Sequence, residues 1–332
     1  MREAILLSAN EREFLVGALQ AEQRVDGRRP FDTRRLKVRF GPNDGVCEAQ
    51  LGPTRVLSSV TAELVEPFPD RPNEGSVRFS VEFSPMASPS FEAGRPSEEA
   101  VEVARVIERS LKGSGAIDTE ALCVLSGRKV WALNVLIHVL DHGGALLDAC
   151  SVSVLCALLS FRHPDVTVGG QSGQEVIVHP PHVKEPIQLN IHHLPLAISF
   201  AFFEDDGELV VVDPSLKEEA AMRGMLTVCL NPQGELCALQ KAGGVAVSTS
   251  QIMRCVRIAS GKVAERAGQM KALLSEYEQG REKNRIRRRR PHSAMEEENA
   301  GSGSAQAGDK STYHQMESSS DEDSSEEEEE EE

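Results

Sequence analysis

KVWALNVLIHVLDHGGALLDACSVSVLCALLS, residues 129–160, is the stretch around which the chain is organised. Val130, Ala132, Val135, Ile137 and Val139 sit among other aliphatic residues, the composition of a well-buried strand. Asp141-His142-Gly143-Gly144 then turns the chain, because adjacent glycines supply the positive φ that a tight reversal needs. From Ala149 to Ser160 the sequence is apolar on nearly every face, which predicts a helix buried all round. A strand, a Gly-Gly turn and a buried helix make a core seed, and turns at the mouth of a sheet are common places to hold phosphate. The chemistry on offer is thin: Leu146 and Leu147 are apolar, and only His142 and Asp148 are polar.

With 332 residues, 40% of them hydrophobic, the chain has enough length for two domains and enough apolar mass for a sizeable core. No run reaches the length of a membrane span, and Met1 to Leu7 is too short and too soon followed by charge for a signal peptide. Seven scattered cysteines without a CxxC pair read as small buried hydrophobes in a reducing compartment. His192-His193 is the one adjacent histidine pair and, with no carboxylate or thiol near it in sequence, reads as structural. No metal site or cofactor is expected.

The net charge of −16 is concentrated at the C-terminus. Residues 291–332 carry fifteen acidic side chains and one lysine, whereas residues 281–290, REKNRIRRRR, carry seven basic and one acidic. A run such as SSSDEDSSEEEEEEE buries nothing and predicts a disordered acidic C-terminal tail. Its serines, flanked by Asp and Glu, fit acidophilic kinases. The basic cluster fits a nuclear-import signal, a nucleic-acid patch or an internal counterweight to the tail.

Along the body, Ser8-Ala9-Asn10-Glu11 is a capping-box pattern for a helix with Phe14, Leu15, Ala18 and Leu19 as its apolar face. Turn residues then separate short strands at Leu36 to Phe40, Val46 to Leu51 and Arg55 to Val65, the pattern of an antiparallel meander. Val77, Phe79, Val81 and Phe83 alternate with polar residues and predict a strand with one wet face. Ser97 is placed to cap a helix with Glu98 and Glu99 at its positive end and Val103, Val106, Ile107 and Leu111 as its buried stripe. Arg105, Arg109 and Lys112 recur at i, i+4 and i+7, so three cations share one face. Such a row can track a phosphate backbone. It is equally the pattern of a solvated face with Glu102–Arg105 and Glu108–Lys112 ion pairs.

After His163-Pro164 a glycine-marked loop is expected. The plan then repeats: strands at Leu194 to Phe203, Glu208 to Val212, Met225 to Leu230 and Glu235 to Gln240 precede a long helix carrying Ile252, Val256, Ala259, Val263, Ala267, Met270 and Leu274. Strands then helix, twice, predicts an α+β fold of two similar β-sheet-plus-helix halves. The expected boundaries are residues 1–188, residues 189–280 and a tail of residues 281–332.

Asp26-Gly27-Arg28 with Asp32 and Arg34, FSPMASPSFEAGRPSE (83–98), RVIERSLK (105–112), DHGGALLDA (141–149) and VVDPSLKEE (211–219) together resemble the RNase PH family. More narrowly, they resemble the non-catalytic PH-like subunits of the RNA exosome ring, over roughly residues 5–275. The resemblance implies an RNase PH-like fold with a ribosomal protein S5 domain 2-like first half. Catalytic members cleave RNA from the 3′ end with phosphate as nucleophile, and follow the Gly-Gly turn with Thr or Ser and then a phosphate-gripping Arg. Ala145 and Leu146 occupy those positions here, and an apolar side chain cannot replace a guanidinium. The family's two catalytic aspartates align with Glu219 and Met225, leaving a single carboxylate.

What the resemblance then implies is a non-catalytic structural and RNA-binding subunit supporting 3′-to-5′ RNA processing and degradation. Arg95, Arg105, Arg109 and Lys112 are the implied RNA contacts, although Arg95 is equally placed to pair with Glu92 or Glu98. The implied partners are other RNase PH-like subunits of a hexameric ring, S1/KH cap subunits and RNA, in nucleus, nucleolus and cytoplasm. An active phosphate-dependent exoribonuclease is the alternative. A third reading is an acidic-tail interaction module on a PH-like scaffold.

Overall fold

The computed structural model describes residues 7–92, 94, 97–169, 175–204 and 209–289. Helix α1 (Ala9–Gln20) opens on the expected capping box: the Glu11 amide donates to Ser8 Oγ at 3.2 Å, and the Glu11 carboxylate accepts from the Ser8 amide at 2.9 Å. Its buried contacts are Leu15 and Leu19, one turn apart, against Ala201, Phe203, Val211 and Ala221. Phe14, expected on that face, is 67% exposed, because it is rotated about 100° from the Leu15–Leu19 line.

Strands β1 (Leu36–Phe40), β2 (Val46–Leu51) and β3 (Thr54–Val65) form the antiparallel meander. β4 (Ser76–Phe83) follows, then α2 (Glu98–Leu111), β5 (Cys123–Leu125), β6 (Lys129–Asp141) and α3 (Leu146–Ser160). The first sheet has the order β1-β2-β3-β6-β4, with β5 also on β6 and β4 parallel to β6. The stretch after α3 is described only in part, because residues 170–174, which include Gly170 and Gly173 of the expected loop, lie outside the described residues. It holds β7 (Arg162–His163), β8 (Val166–Gly169), β9 (Glu175–Val178) and β10 (Ile187–Gln188), paired β7–β10 and β8–β9. Runs this short carry no readable period, so only their pairing partners reveal them.

The second half contains β11 (Leu196–Phe202), β12 (Val210–Val212), α4 (Leu216–Ala221), β13 (Gly224–Leu230), β14 (Leu236–Lys241) and α5 (Thr249–Arg289). Its sheet runs β12-β11-β13-β14, all antiparallel. Helix α3 touches β2 and β3 on one side and β11 on the other; α2 likewise bridges β4 and β14. The two helices thus fill the space between the sheets, which explains why α3 is apolar all round. Its serines are satisfied internally: Ser153 Oγ donates to the carbonyls of Cys47 (3.1 Å) and Val56 (3.3 Å). Five of the seven cysteines are buried, and all are free thiols.

Cys255, Ala259, Val263, Ala267 and Met270 carry α5 into the same core, and Tyr277 stacks on Phe40 at 4.4 Å between ring centroids. The compact unit ends at Gly280. Order does not stop there: α5 continues to Arg289, into the segment expected to be disordered, because Arg, Glu and Lys are strong helix formers. The acidic run and the rest of the expected tail lie outside the described residues, as do residues 205–208, which include the expected start of the strand at Glu208. No described helix is long and apolar enough to cross a membrane.

Candidate RNA-contact face and the Gly-Gly turn

The cationic row is set by α2. Ser97 Oγ accepts from the Ala100 amide at 3.2 Å and starts the helix, and Val103, Val106, Ile107 and Leu111 bury one stripe as expected. That orientation leaves Arg105, Arg109 and Lys112 exposed along the opposite side. Arg105 and Arg109, with Val101, Glu102 and Val106, border an open groove of about 380 Å³ whose far wall is Gln240 of β14.

The anticipated local ion pairs divide. Lys112 Nζ lies 3.7 Å from Glu108, an exposed pair of the kind worth little. Glu102 does not pair with Arg105; its carboxylate accepts from Gln240 Nε2 at 3.0 Å. Among the described residues, Arg105 and Arg109 have no ion-pair partner. Arg95 lies outside the described residues.

The Gly-Gly turn joins β6 to α3 and is held from three directions. Gly144 has φ 95°, and a Cβ there would sit 2.5 Å from the Pro214 carbonyl and 2.6 Å from the Leu216 amide, so only glycine admits the start of α4. Arg34 donates to the carbonyls of Gly143 (2.9 Å) and Gly144 (3.0 Å), and Thr54 Oγ1 to that of Gly144 (2.7 Å). The same guanidinium is fixed by Asp213: Nη2 and Nε reach Oδ1 at 2.6 and 3.0 Å, and the Arg34 amide donates to Oδ2 at 2.7 Å. Burial alone would raise the Asp213 pKa, but the Arg34 hydrogen bonds and charge hold it below the ordinary carboxylate value. Arg28 adds a second contact to Asp213 at 3.2 Å, and Arg24 Nε binds buried Glu218 at 2.8 Å. Arg24, Arg28 and Arg34, on and around the DGR segment, therefore clamp this stretch to Asp213 and Glu218.

The third hold is Glu219. Its Oε1 accepts from the Ala145 amide at 2.7 Å, and Ala145 itself has φ 48°. An internal carboxylate thus occupies the anion-seeking amide at the entry to α3. Leu146, the next residue, is half-buried and packs against the core. Met225 lies half-buried on β13, opposite Ala201. Of the polar residues His142 and Asp148, only the second is fully engaged: His142 is largely buried and its Nδ1 has no hydrogen-bond partner among the described residues. Asp148 is fully buried, accepts from Ser199 Oγ at 2.7 Å and faces Arg266 at 3.1 Å, with burial pushing its pKa up. His142 is held down to about 4, by burial first and by the Arg34 charge second. His192, read as having no carboxylate near it, lies 3.9 Å from Asp118 Oδ2, and His193 Nε2 is 3.0 Å from Ser114 Oγ. Among the described residues, no group of three or more His, Cys, Asp or Glu is arranged to hold a metal ion.

Residues 32–164 match domain 1 of the 3′ exoribonuclease family, RNase PH, and residues 193–262 match its domain 2. The chain belongs to the RNase PH family. Among its relatives, this RNase PH chain is 53% identical over 258 residues to the exosome complex component RRP45B of Arabidopsis thaliana, covering 78% of this chain and 59% of that protein. It is 48% identical over 282 residues to RRP45A of the same plant, covering 85% and 92%. Among solved structures, the Archaeoglobus fulgidus exosome with RNA bound to the active site superposes with a TM-score of 0.67 at 27% identity, over 77% of this chain and 96% of that one. The chain thus spans about three-fifths of one plant relative and nearly all of the other.

Proposed function

We propose that this chain is a non-catalytic subunit of an RNase PH-like exosome ring, in which α2 guides RNA by its phosphates. The observation that carries the RNA reading is the exposed row of Arg105, Arg109 and Lys112 beside an open groove, with two of the three cations unpaired among the described residues. Lys112, a point charge, makes a looser contact than a bidentate arginine. Arg95, outside the described residues, is added as an RNA contact on family resemblance alone. The relatives named as exosome components, and the archaeal exosome structure with RNA, support ring membership. The partners are other RNase PH-like subunits of a hexamer and S1/KH caps, in nucleus, nucleolus and cytoplasm. The body divides at 188/189, and the tail begins after 280.

The non-catalytic half of the reading is supported by Leu146 and Met225 where phosphorolytic relatives carry arginine and aspartate, and by Glu219 bound to Ala145. An active phosphate-dependent exoribonuclease would need an anion site at that turn, so nucleoside diphosphate release from RNA by the purified chain would decide against us. The RNA reading is tested with Arg109→Glu/Lys112→Glu in reconstituted cores at several salt concentrations. We expect weaker binding to all RNA sequences, and a log–log salt slope flattened by about 0.7 for each phosphate no longer neutralised. Equal affinity and slope would leave α2 an ordinary charged surface.

A further inference from the structure

Glu102 precedes Arg105 by three residues on α2, the spacing at which glutamate and arginine ordinarily pair on a helix. It accepts instead from Gln240 Nε2 at 3.0 Å, a partner 138 residues away on the edge strand of the other sheet. Gln240 is half-buried and lies in register opposite Thr227 of β13, so its amide is presented to α2 from a paired strand. Each side chain borders the same groove as Arg105 and Arg109.

We propose that Gln240 is a positioning residue for the RNA-contact face: it holds the Glu102 carboxylate away from Arg105 and so keeps that guanidinium available to a phosphate. The inference rests on the RNA-guiding reading of α2. An amide suits the task because it restrains a carboxylate without adding charge to the groove. Were it absent, Glu102 would be free to fold back on Arg105 and compete with RNA, and binding would then have to break an ion pair before making a phosphate contact.

The test uses the full-length chain in reconstituted cores, titrated with a labelled single-stranded oligouridylate over a series of salt concentrations. Gln240→Leu should weaken binding about two- to threefold, the strength of an exposed ion pair, and flatten the log–log salt slope by up to about 0.7. Adding Glu102→Gln to that variant should restore both, because an amide at 102 cannot neutralise Arg105. The same Glu102→Gln change in the wild-type background should gain much less, so the two positions are non-additive. A purely architectural bond between β14 and α2 predicts otherwise: a lowered thermal midpoint, unchanged affinity and no rescue. Unchanged affinity in Gln240→Leu, or an unrescued double variant, overturns the proposal. Arg109→Glu/Lys112→Glu run in parallel separates the two levels. If it binds like wild type, the RNA reading and this inference fall together; if it weakens while Gln240→Leu does not, only the inference falls.

Discussion

Glu219 Oε1 accepts from the backbone amide of Ala145 at 2.7 Å, so a side chain of α4 ties down the entry to the almost wholly buried α3. A charge-assisted hydrogen bond of this kind contributes about 1.5–3 kcal/mol. Glu219→Ala should therefore lower the unfolding free energy by an amount of that order, read from chemical denaturation. It should do so without changing phosphate-dependent nucleoside diphosphate release, which we expect to be nil in both proteins. Release by the wild-type chain that disappears in the variant would assign Glu219 to catalysis instead.

Asp213→Asn keeps the shape of the side chain but leaves the buried Arg34 guanidinium without its counter-charge. Breaking one partner out of a buried pair costs about 3–5 kcal/mol. The expected outcome is a variant with a strongly reduced unfolding midpoint, read by urea titration. Lys112→Ala, which gives up only an exposed ion pair with Glu108, should stay within about 0.5 kcal/mol of wild type.

The pH dependence of stability separates two groups. His142 falls from the ordinary value of 6.5 to about 4 in the folded chain, so across that window the unfolded state binds a proton that the folded state refuses. Stability should therefore decline as pH drops from 6.5 towards 4. Asp213, lowered from 3.8, contributes stability that is lost only at still lower pH. His142→Gln should flatten the first decline and leave the second, measured by chemical denaturation at stepped pH. A slope unchanged by the substitution would place the upper titration elsewhere.

Removing residues 281–332 should leave folding and co-purification with ring partners intact, because Tyr277, which stacks on Phe40, and the buried α5 residues up to Met270 all precede the cut. The truncation removes the basic cluster as well, so imaging should find the protein shifted out of the nucleus. Loss of co-purification would show that assembly needs the tail. Tyr277→Ala, by contrast, should cost about 1 kcal/mol or more in the intact chain, because it deletes a stacked aromatic pair.

The parts of this fold that follow a local period are legible in the sequence alone. The buried stripe of α2, the β6-turn-α3 unit and the β1-β2-β3 meander each repeat over enough residues to declare their faces. Parallel pairing of β4 with β6 is not legible, since nothing local names the strand across a crossover. The same limit governs the site. Spacing along α2 offers Arg105 to Glu102, and only the folded chain brings Gln240 closer. Arg34 and Asp213 lie 179 residues apart, so their motifs are visible but not their contact. Phe14 shows the converse, an apolar residue at helical spacing that a narrow packing face leaves in solvent.

The clamp of Arg34 on Asp213 also has a cost in time. Synthesis delivers the N-terminal half first, so Arg34 and the Gly143-Gly144 carbonyls emerge well before the residue that balances their charge exists. Until Asp213 and Glu219 leave the ribosome, Arg34 lacks its counter-charge, the turn lacks one of its holds, and α3 has one of its two sheets to lie against. A contact this distant forms late and slowly, and an apolar helix waiting for it is exposed to wrong partners meanwhile. The nascent chain should accordingly depend on chaperones through the whole interval between its two halves.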